Sequence, residues 1–245
     1  MGTEVKSWLP DLPLSPLSQR MGRRKKLALL GASMLGDDPP PLDDPAWDVW
    51  GCNSLWNRHL DRERRLRADF WFEMHPIAAQ TDQELQDMID CPVPIYILTE
   101  RDVPSIHTHW ITYPLDTVRE VFGTRDYFTV TFAYQIALAI IFGYQEIGLW
   151  GVELWQGSTR ETRVEWPCLM WWLGIARGRG ITITLPSYSK LLWHEHLYGY
   201  DYDADVKQSA IDDRYVAVRW WEEENKRNAV NEKNWRESPM SRMKR

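Results

Sequence analysis

The segment that decides the fold is residues 131–153, TFAYQIALAIIFGYQEIGLWGVE. Its first twelve residues are mostly small or apolar, which predicts a buried helix, and Gly143 ends that helix. Residues 146–150 follow as a short apolar run, typical of a buried parallel strand. The strand is closed by a glycine and a carboxylate, Gly151 and Glu153. The segment therefore predicts one helix–strand repeat of a parallel α/β sheet.

Short apolar segments closed by small and polar residues recur on both sides of this repeat. We expect further strands at residues 27–30, 47–50, 68–72, 94–98 and 181–185, and helices at 58–67, 81–88 and 166–176. Residues 99–127 are predicted to be loop. The alternation predicts a Rossmann-like, mostly parallel sheet with helices on both faces, followed by a C-terminal helical tail.

The composition is that of a folded protein, with 44% hydrophobic and 26% charged residues. A formal net charge of −6 argues against nucleic-acid binding over the whole surface, but a local groove could use the five arginines of residues 58–67. We expect an extended arm at residues 1–22, a nucleotide-binding domain at 23–200 and a helical extension at 201–245. Many of the fifteen tryptophans should lie in the core or line a pocket.

The cysteines and the apolar segments indicate the cellular compartment. The three cysteines are far apart and have no metal-ligand spacing, so neither disulfides nor a structural zinc site is expected. Prolines interrupt the N-terminal apolar residues, which argues against a secretory signal, and the longest apolar stretch, residues 133–142, is too short to span a bilayer. We therefore expect a cytoplasmic protein without a membrane span. The oligomeric state is left open, a homo-oligomer included.

In such sheets, ligands bind outside the carboxyl ends of the strands, near the point where the strand order reverses. Gly31, Ala32 and Ser33 end the first strand and offer backbone N–H groups and a hydroxyl to a phosphate or ribose, although a plain turn would have the same composition. Asn53 ends the second strand and would bind a phosphate or a base, or cap a turn. The first segment matches neither GxGxxG nor a P-loop.

The helix that begins at Thr131 and the strand that ends at Glu153 add two candidates. The helix N-terminus could meet an anion, or Thr131 could simply be its N-cap. Glu153 occupies a common place for a ribose-binding or catalytic carboxylate. The polar residues that follow fit a mobile lid with arginines for phosphate and a glutamate as base, or an ordinary solvated loop. They are Trp155, Arg160, Glu161, Arg163 and Glu165.

Glu73 and His75 lie two residues apart at the end of the third strand, so both side chains should face the same side. They are candidates for an acid–base pair or a metal-binding pair, and the alternative is a structural histidine with a satisfied hydrogen bond. His194 and His196 repeat this spacing, but no third ligand is evident and we expect a surface segment there.

The bacterial lipooligosaccharide sialyltransferases resemble this chain at three strand ends, Gly31-Ala32-Ser33, Gly51-Cys52-Asn53 and Gly151-Val152-Glu153. The same segments are similar to those of the wider group of hydroxymethylpterin-pyrophosphokinase-like proteins, which have a related fold. The resemblance spans roughly residues 27–192 and is closest over 134–155. Two further segments, at 72–75 and 175–181, are similar to parts of bacteriophage proteins.

The resemblance implies a role for each matching position. Ser33, Asn53 and Thr131 would hold the nucleotide of an activated sugar, and Glu153 would lie near the ribose or cytidine. Trp155 stands where the family has a tyrosine that contacts the phosphate.

The chain departs from the family at the catalytic histidine, because the corresponding position is Arg163. No histidine occurs in residues 110–193, so the base of a transfer reaction would have to be Glu165, Glu161 or His75.

These observations lead to three functional hypotheses. The first is a nucleotide-sugar-dependent glycosyltransferase, in which Arg160 and Arg163 stabilise the leaving phosphate and the acceptor is a glycan, a small metabolite or a nucleic-acid base. The second is pyrophosphokinase-like transfer of a diphosphate, which needs a divalent metal on carboxylates such as Glu73 and Glu153. The third is a non-catalytic protein that binds a nucleotide or another protein.

Overall fold

The computed structural model describes residues 25–33, 38–53, 68–98, 109–123, 127–154 and 161–192 of the 245-residue chain. The chain divides into two compact units, residues 1–192 and 193–245, and every described residue belongs to the first. The predicted arm, the arginine-rich helix at 58–67, the helical tail and the segment of His194 and His196 lie outside the described residues. The domain boundaries therefore stay predictions. Within the described ranges, no helix combines the length and the apolar composition needed to cross a bilayer.

The described residues form seven strands and four α-helices. The strands are β1 (Lys26–Leu30), β2 (Trp47–Cys52), β3 (Phe70–Glu73), β4 (Ile95–Ile97), β5 (Trp110–Thr112), β6 (Glu146–Trp150) and β7 (Thr182–Thr184). The helices are α1 (Asp82–Asp90), α2 (Leu115–Phe122), α3 (Thr131–Ile141) and α4 (Trp166–Gly178). A 3₁₀ turn (Ile77–Ala79) precedes α1 and a π-helical turn (Glu161–Glu165) precedes α4.

The strands form one parallel sheet in the order β5-β4-β3-β2-β1-β6-β7. The chain steps outward from β1 to β5 and then returns to place β6 on the other side of β1. The strand order therefore reverses between β1 and β6, which is where parallel α/β sheets open a crevice for ligands. The prediction of a Rossmann-like parallel sheet is confirmed.

The register assigns the side chains of neighbouring strands to two faces. Trp50 is paired with Phe70, so both lie on one face, and the Trp50 ring meets Phe142 and Tyr144 edge-on just after α3. Helices α2 and α4 pack beside α3. On the opposite face, Trp71 of β3 lines a narrow gap with residues of α1. Helices therefore cover both faces, as predicted.

Within the residues that the structure describes, six tryptophans are buried, as the composition led us to expect. They are Trp47, Trp50, Trp71, Trp110, Trp150 and Trp172.

The prediction of a continuous loop at residues 99–127 is wrong, because β5 and α2 lie within that stretch. A strand of three residues is too short to show a period, so its sequence gives no signal. The sequence does signal the ends of helix α2. The helix begins after Pro114 and ends at Gly123, whose φ of 56° is the left-handed conformation that commonly closes a helix.

Candidate active site

The ends of β1 and β6 lie side by side at the point where the strand order reverses. The N–H of Gly31 donates to the carbonyl of Trp150 (2.8 Å), and the N–H of Ser33 donates to the carbonyl of Gly151 (2.9 Å). These bonds extend the pairing of the two strands beyond the sheet. As a result, the loop that carries Ser33 lies beside the segment that carries Glu153.

A cavity of about 610 Å³ opens between the ends of these two strands, and we call it the switch-point cavity. Its walls come from the carboxyl ends of β1, β2, β3 and β6, the N-terminus of α3 and the residue before α4. The predicted site residues that line it are Ala32, Ser33, Asn53, His75, Thr131, Glu153 and Glu165. Side chains from six separate parts of the chain, spread over more than 130 residues, thus meet in one space.

Asn53 is held at the end of β2 by its own backbone. Its N–H donates to the carbonyl of Phe72 (3.0 Å), and its carbonyl accepts from the indole N–H of Trp71 (2.8 Å). Its φ is 54°, a left-handed conformation that asparagine tolerates better than most residues. The hydroxyl of Thr131 donates to Asn53 Oδ1 over 3.4 Å. The interpretation of Thr131 as an N-cap is wrong, because Val130 is the N-cap and Thr131 points to Asn53 instead.

Helix α3 directs its positive end at the cavity. The first N–H groups of a helix have no acceptor within the helix, and together with the helix dipole they favour an anion. The helix is fixed to the sheet by Gln135, which is fully buried and donates from Nε2 to the carbonyl of Gly51 (3.0 Å). The preceding loop is tied to the π-helical turn before α4, since the hydroxyl of Thr129 donates to the carbonyl of Val164 (2.8 Å).

Glu73 and His75 form a hydrogen-bonded pair at the end of β3. The distance between His75 Nδ1 and Glu73 Oε1 is 2.5 Å, and the backbone N–H of His75 donates to the same oxygen (3.0 Å). The Glu73 side chain is only 6% exposed, whereas the His75 side chain is 59% exposed and lines the cavity. The two side chains lie on the same side, as the two-residue spacing predicted, and their hydrogen bond fits both an acid–base pair and a structural histidine.

The surroundings of His75 make its ring more basic. The hydrogen bond to Glu73 raises the pKa of His75 above its usual value, and the negative charges of Glu73, Glu165 and Glu84 act in the same direction. Partial burial of the ring opposes this effect and is the weaker influence. A proton taken up by His75 is thus stabilised by carboxylates from β3, α1 and the turn before α4.

The segment predicted to be a lid is described only in part. Arg163 lies in the π-helical turn, is exposed and does not line the switch-point cavity. Trp155 and Arg160, as well as the side chain of Glu161, lie outside the described residues. The roles given to these four residues stay predictions.

Aromatic side chains that were not predicted from the sequence form one wall of the cavity. Phe128 stacks on Tyr134 with ring centroids 4.7 Å apart, and both line the cavity together with Phe132. The sequence does carry a signal for this wall. Aromatic residues occur just before α3 and in its first turn, next to the point where the strand order reverses. Such a wall can pack against a nucleobase or the apolar face of a sugar.

In the part of the chain that the structure describes, no group of three or more His, Cys, Asp or Glu side chains could hold a metal ion. Glu73 is hydrogen-bonded to His75 and does not line the switch-point cavity, whereas Glu153 does.

The three cysteines are buried, and burial raises the pKa of Cys52 far above its usual range, so its thiol is not activated for nucleophilic attack.

No protein-family model matches the chain, and a search of curated proteins gives no match either. Among solved structures, the sialyltransferase CstII from Campylobacter jejuni, in complex with the substrate analogue CMP-3FNeuAc, is 14% identical with a TM-score of 0.47. That match covers 68% of this chain and 82% of CstII. The monofunctional α-2,3-sialyltransferase Cst-I from the same organism is 13% identical with a TM-score of 0.44, over 86% of this chain and 98% of its own.

An α-2,3-sialyltransferase from Campylobacter jejuni in its apo form is also similar, with 14% identity and a TM-score of 0.43. That match covers 79% of this chain and 95% of the other protein. These similarities concern the path of the backbone and assign no role to individual residues. The expected likeness to pyrophosphokinases and to bacteriophage proteins stays a prediction.

Proposed function

We propose that this chain is a glycosyltransferase that moves a sugar from a nucleotide-sugar donor to a hydroxyl group of an acceptor. The acceptor oxygen forms a bond to the anomeric carbon while the bond from that carbon to the donor phosphate breaks. The hydroxyl proton passes to Nε2 of His75, and the nucleotide leaves with the bonding electron pair.

The observation that carries this proposal is the convergence of Ser33, Asn53, Thr131 and His75 on the switch-point cavity. The donor phosphate would lie at the N-terminus of α3, where the helix dipole and the first N–H groups favour an anion. The hydroxyls of Ser33 and Thr131 and the amide of Asn53 would bind the phosphate and the ribose. A volume of about 610 Å³ fits a ligand of this size.

His75 supports deprotonation better than Glu165 does. Imidazole is intrinsically more basic than a carboxylate, and the pKa of His75 is raised further by Glu73. His75 is also held by two hydrogen bonds to a buried carboxylate. The base of this chain would therefore stand at the end of β3, whereas the resemblance places the family's histidine on the lid side of the cavity.

A screen of CMP-, UDP-, GDP- and dTDP-sugars tests the proposal in two stages. A donor present at 100 times its dissociation constant should stabilise the fold by about 2.7 kcal/mol, which a thermal shift detects. Transfer is then followed by nucleotide release and by the mass of the product, with glycans and small alcohols as acceptors. If no nucleotide or nucleotide sugar stabilises the chain, the proposal is wrong.

Substitutions separate binding from chemistry. Ser33→Ala and Thr131→Val should weaken donor binding, while Thr182→Val, an exposed position on β7, should leave it unchanged. His75→Asn should retain donor binding and lower kcat about 10²–10⁴-fold, the usual contribution of a general base. If both His75→Asn and Glu165→Gln leave turnover unchanged, the deprotonation step assigned here is wrong.

A further inference from the structure

We infer that Glu73 is a positioning residue that selects Nε2 of His75 as the basic nitrogen and stabilises the imidazolium formed during transfer. This inference deepens the proposed function and rests on His75 being the base. It concerns a residue that lies outside the lining of the switch-point cavity and acts only through its neighbour.

The geometry holds the imidazole at two points. Glu73 is the last residue of β3, so its backbone is fixed by the sheet pairing to β4. Its Oε1 lies 2.5 Å from Nδ1 of His75 and accepts from the backbone N–H of His75 at 3.0 Å. One buried oxygen thus fixes both the ring and the peptide that carries it.

The contact decides which tautomer is present. An ionised carboxylate can only accept hydrogen bonds, so Nδ1 must be the protonated nitrogen in the neutral ring. Nε2 then carries the lone pair and can take a proton from an acceptor hydroxyl. When that proton arrives, the ring becomes positively charged next to the Glu73 carboxylate, as in other carboxylate–histidine pairs.

Among the described residues, Glu73, Glu84 and Glu165 each place a negative charge near the ring, and Glu73 also forms a hydrogen bond to it. Glu84 belongs to the first turn of α1, where it forms a capping box with Thr81. Glu165 ends the turn before α4 and lines the cavity. Both raise the pKa of His75 through their charge, whereas Glu73 adds a hydrogen bond that orients the ring. A substitution of Glu84 is therefore a matched control for the same substitution of Glu73.

The test compares Glu73→Gln with Glu84→Gln by NMR of ¹⁵N-labelled histidine. In the natural chain, the neutral His75 ring should show Nδ1 protonated. Glu73→Gln should abolish this preference and bring the pKa of His75 down towards that of a free histidine. Glu84→Gln keeps the capping box, since glutamine can replace glutamate there, and should leave the tautomer unchanged.

Kinetics give the second readout. Glu73→Gln should lower kcat about 10²–10⁴-fold, shift the acidic limb of the pH profile to lower pH and leave the KM for the donor unchanged. Glu73→Asp, which keeps the charge but shortens the side chain, should recover part of the pKa of His75 even if the glutamine variant folds poorly.

The inference is overturned if the neutral ring carries its proton on Nε2, or if Glu73→Gln leaves the tautomer and the pKa of His75 unchanged. The NMR readout needs no turnover. Absence of donor binding would therefore refute the proposed function and leave only the tautomer preference standing, whereas a wrong tautomer would refute the role of Glu73 even if transfer is observed.

Discussion

Gly31 and Gly151 lie directly against each other where β1 and β6 end, with no room for a side chain between them. A Cβ on Gly31 would overlap the carbonyl of Gly151, and a Cβ on Gly151 would stand 2.7 Å from the carbonyl oxygen of Gly31. Gly151 also has a φ of 67°, a conformation that side chains disfavour. This backbone contact brings the loops of Ser33 and Glu153 together, so the floor of the cavity depends on two glycines.

Alanine at either glycine should therefore destabilise the fold. We expect Gly31→Ala and Gly151→Ala each to lower the free energy of unfolding by about 1–3 kcal/mol, measured by urea denaturation, because backbone atoms must shift to admit the methyl group. Gly174→Ala is the control. Gly174 lies in α4 with open space around it, and alanine there should be neutral or stabilising by up to about 1 kcal/mol. Equal effects at all three positions would contradict the close approach of β1 and β6.

The sequence allowed the strands and their carboxyl ends to be predicted because these features are local. Residues 27–30 are a continuous apolar run followed by Gly31, and a buried parallel strand that ends in a tight turn needs this composition. The rule that ligands bind at strand ends then selected Ser33, Asn53 and Glu153 without knowledge of distances. The contact of Glu73 with His75 was also predictable, since strand geometry puts alternate residues on one side.

Contacts between distant segments were not predictable from a single sequence. Thr131 and Asn53 are separated by 78 residues, so nothing local shows that the hydroxyl donates to the amide instead of capping its own helix. The aromatic wall around Phe128 depends in the same way on the packing of α3 against α4. The short strand β5 is defined by its pairing with β4, and its three residues carry no pattern of their own.

Asn53 combines a backbone role and a binding role, and two substitutions separate them. Asn53→Ala should destabilise the fold by about 1–2 kcal/mol more than Asn53→Gly, because alanine resists a φ of 54° and glycine accepts it. Donor binding, measured by calorimetry, should weaken in both variants, since both remove the amide. If Asn53→Gly binds the donor as tightly as the natural chain does, Asn53 is only a turn residue.

Tyr144 and Asp48 form a buried hydrogen bond near the start of β2, at the other end of that strand from the site. The Tyr144 hydroxyl donates to Asp48 Oδ2 (2.6 Å), and both residues are at least 92% buried. Tyr144→Phe removes the donor and should lower the free energy of unfolding by about 0.5–1.5 kcal/mol, the usual net contribution of a hydrogen bond. A double-mutant cycle with Asp48→Ala measures the pair itself, and we expect a coupling of about 0.5–3 kcal/mol. Additive effects of the two substitutions would show that the bond contributes nothing.

The raised pKa of His75 makes stability depend on pH with a definite sign. A histidine that binds its proton more tightly in the folded state stabilises the fold fully at a pH below its unfolded pKa, near 6.5, and loses that contribution as the pH rises through its folded pKa. The difference in free energy of unfolding between the natural chain and His75→Gln should therefore shrink between pH 5.5 and pH 9, measured by urea denaturation. Because the His75 side chain is 59% exposed, solvent screens the effect and it should be modest. In a Glu73→Gln background the same comparison should be nearly flat, since the hydrogen bond that raises the pKa is gone. A difference that grows with pH would mean that His75 binds its proton less tightly in the folded chain, and the carboxylates around it could then not be what sets its basicity.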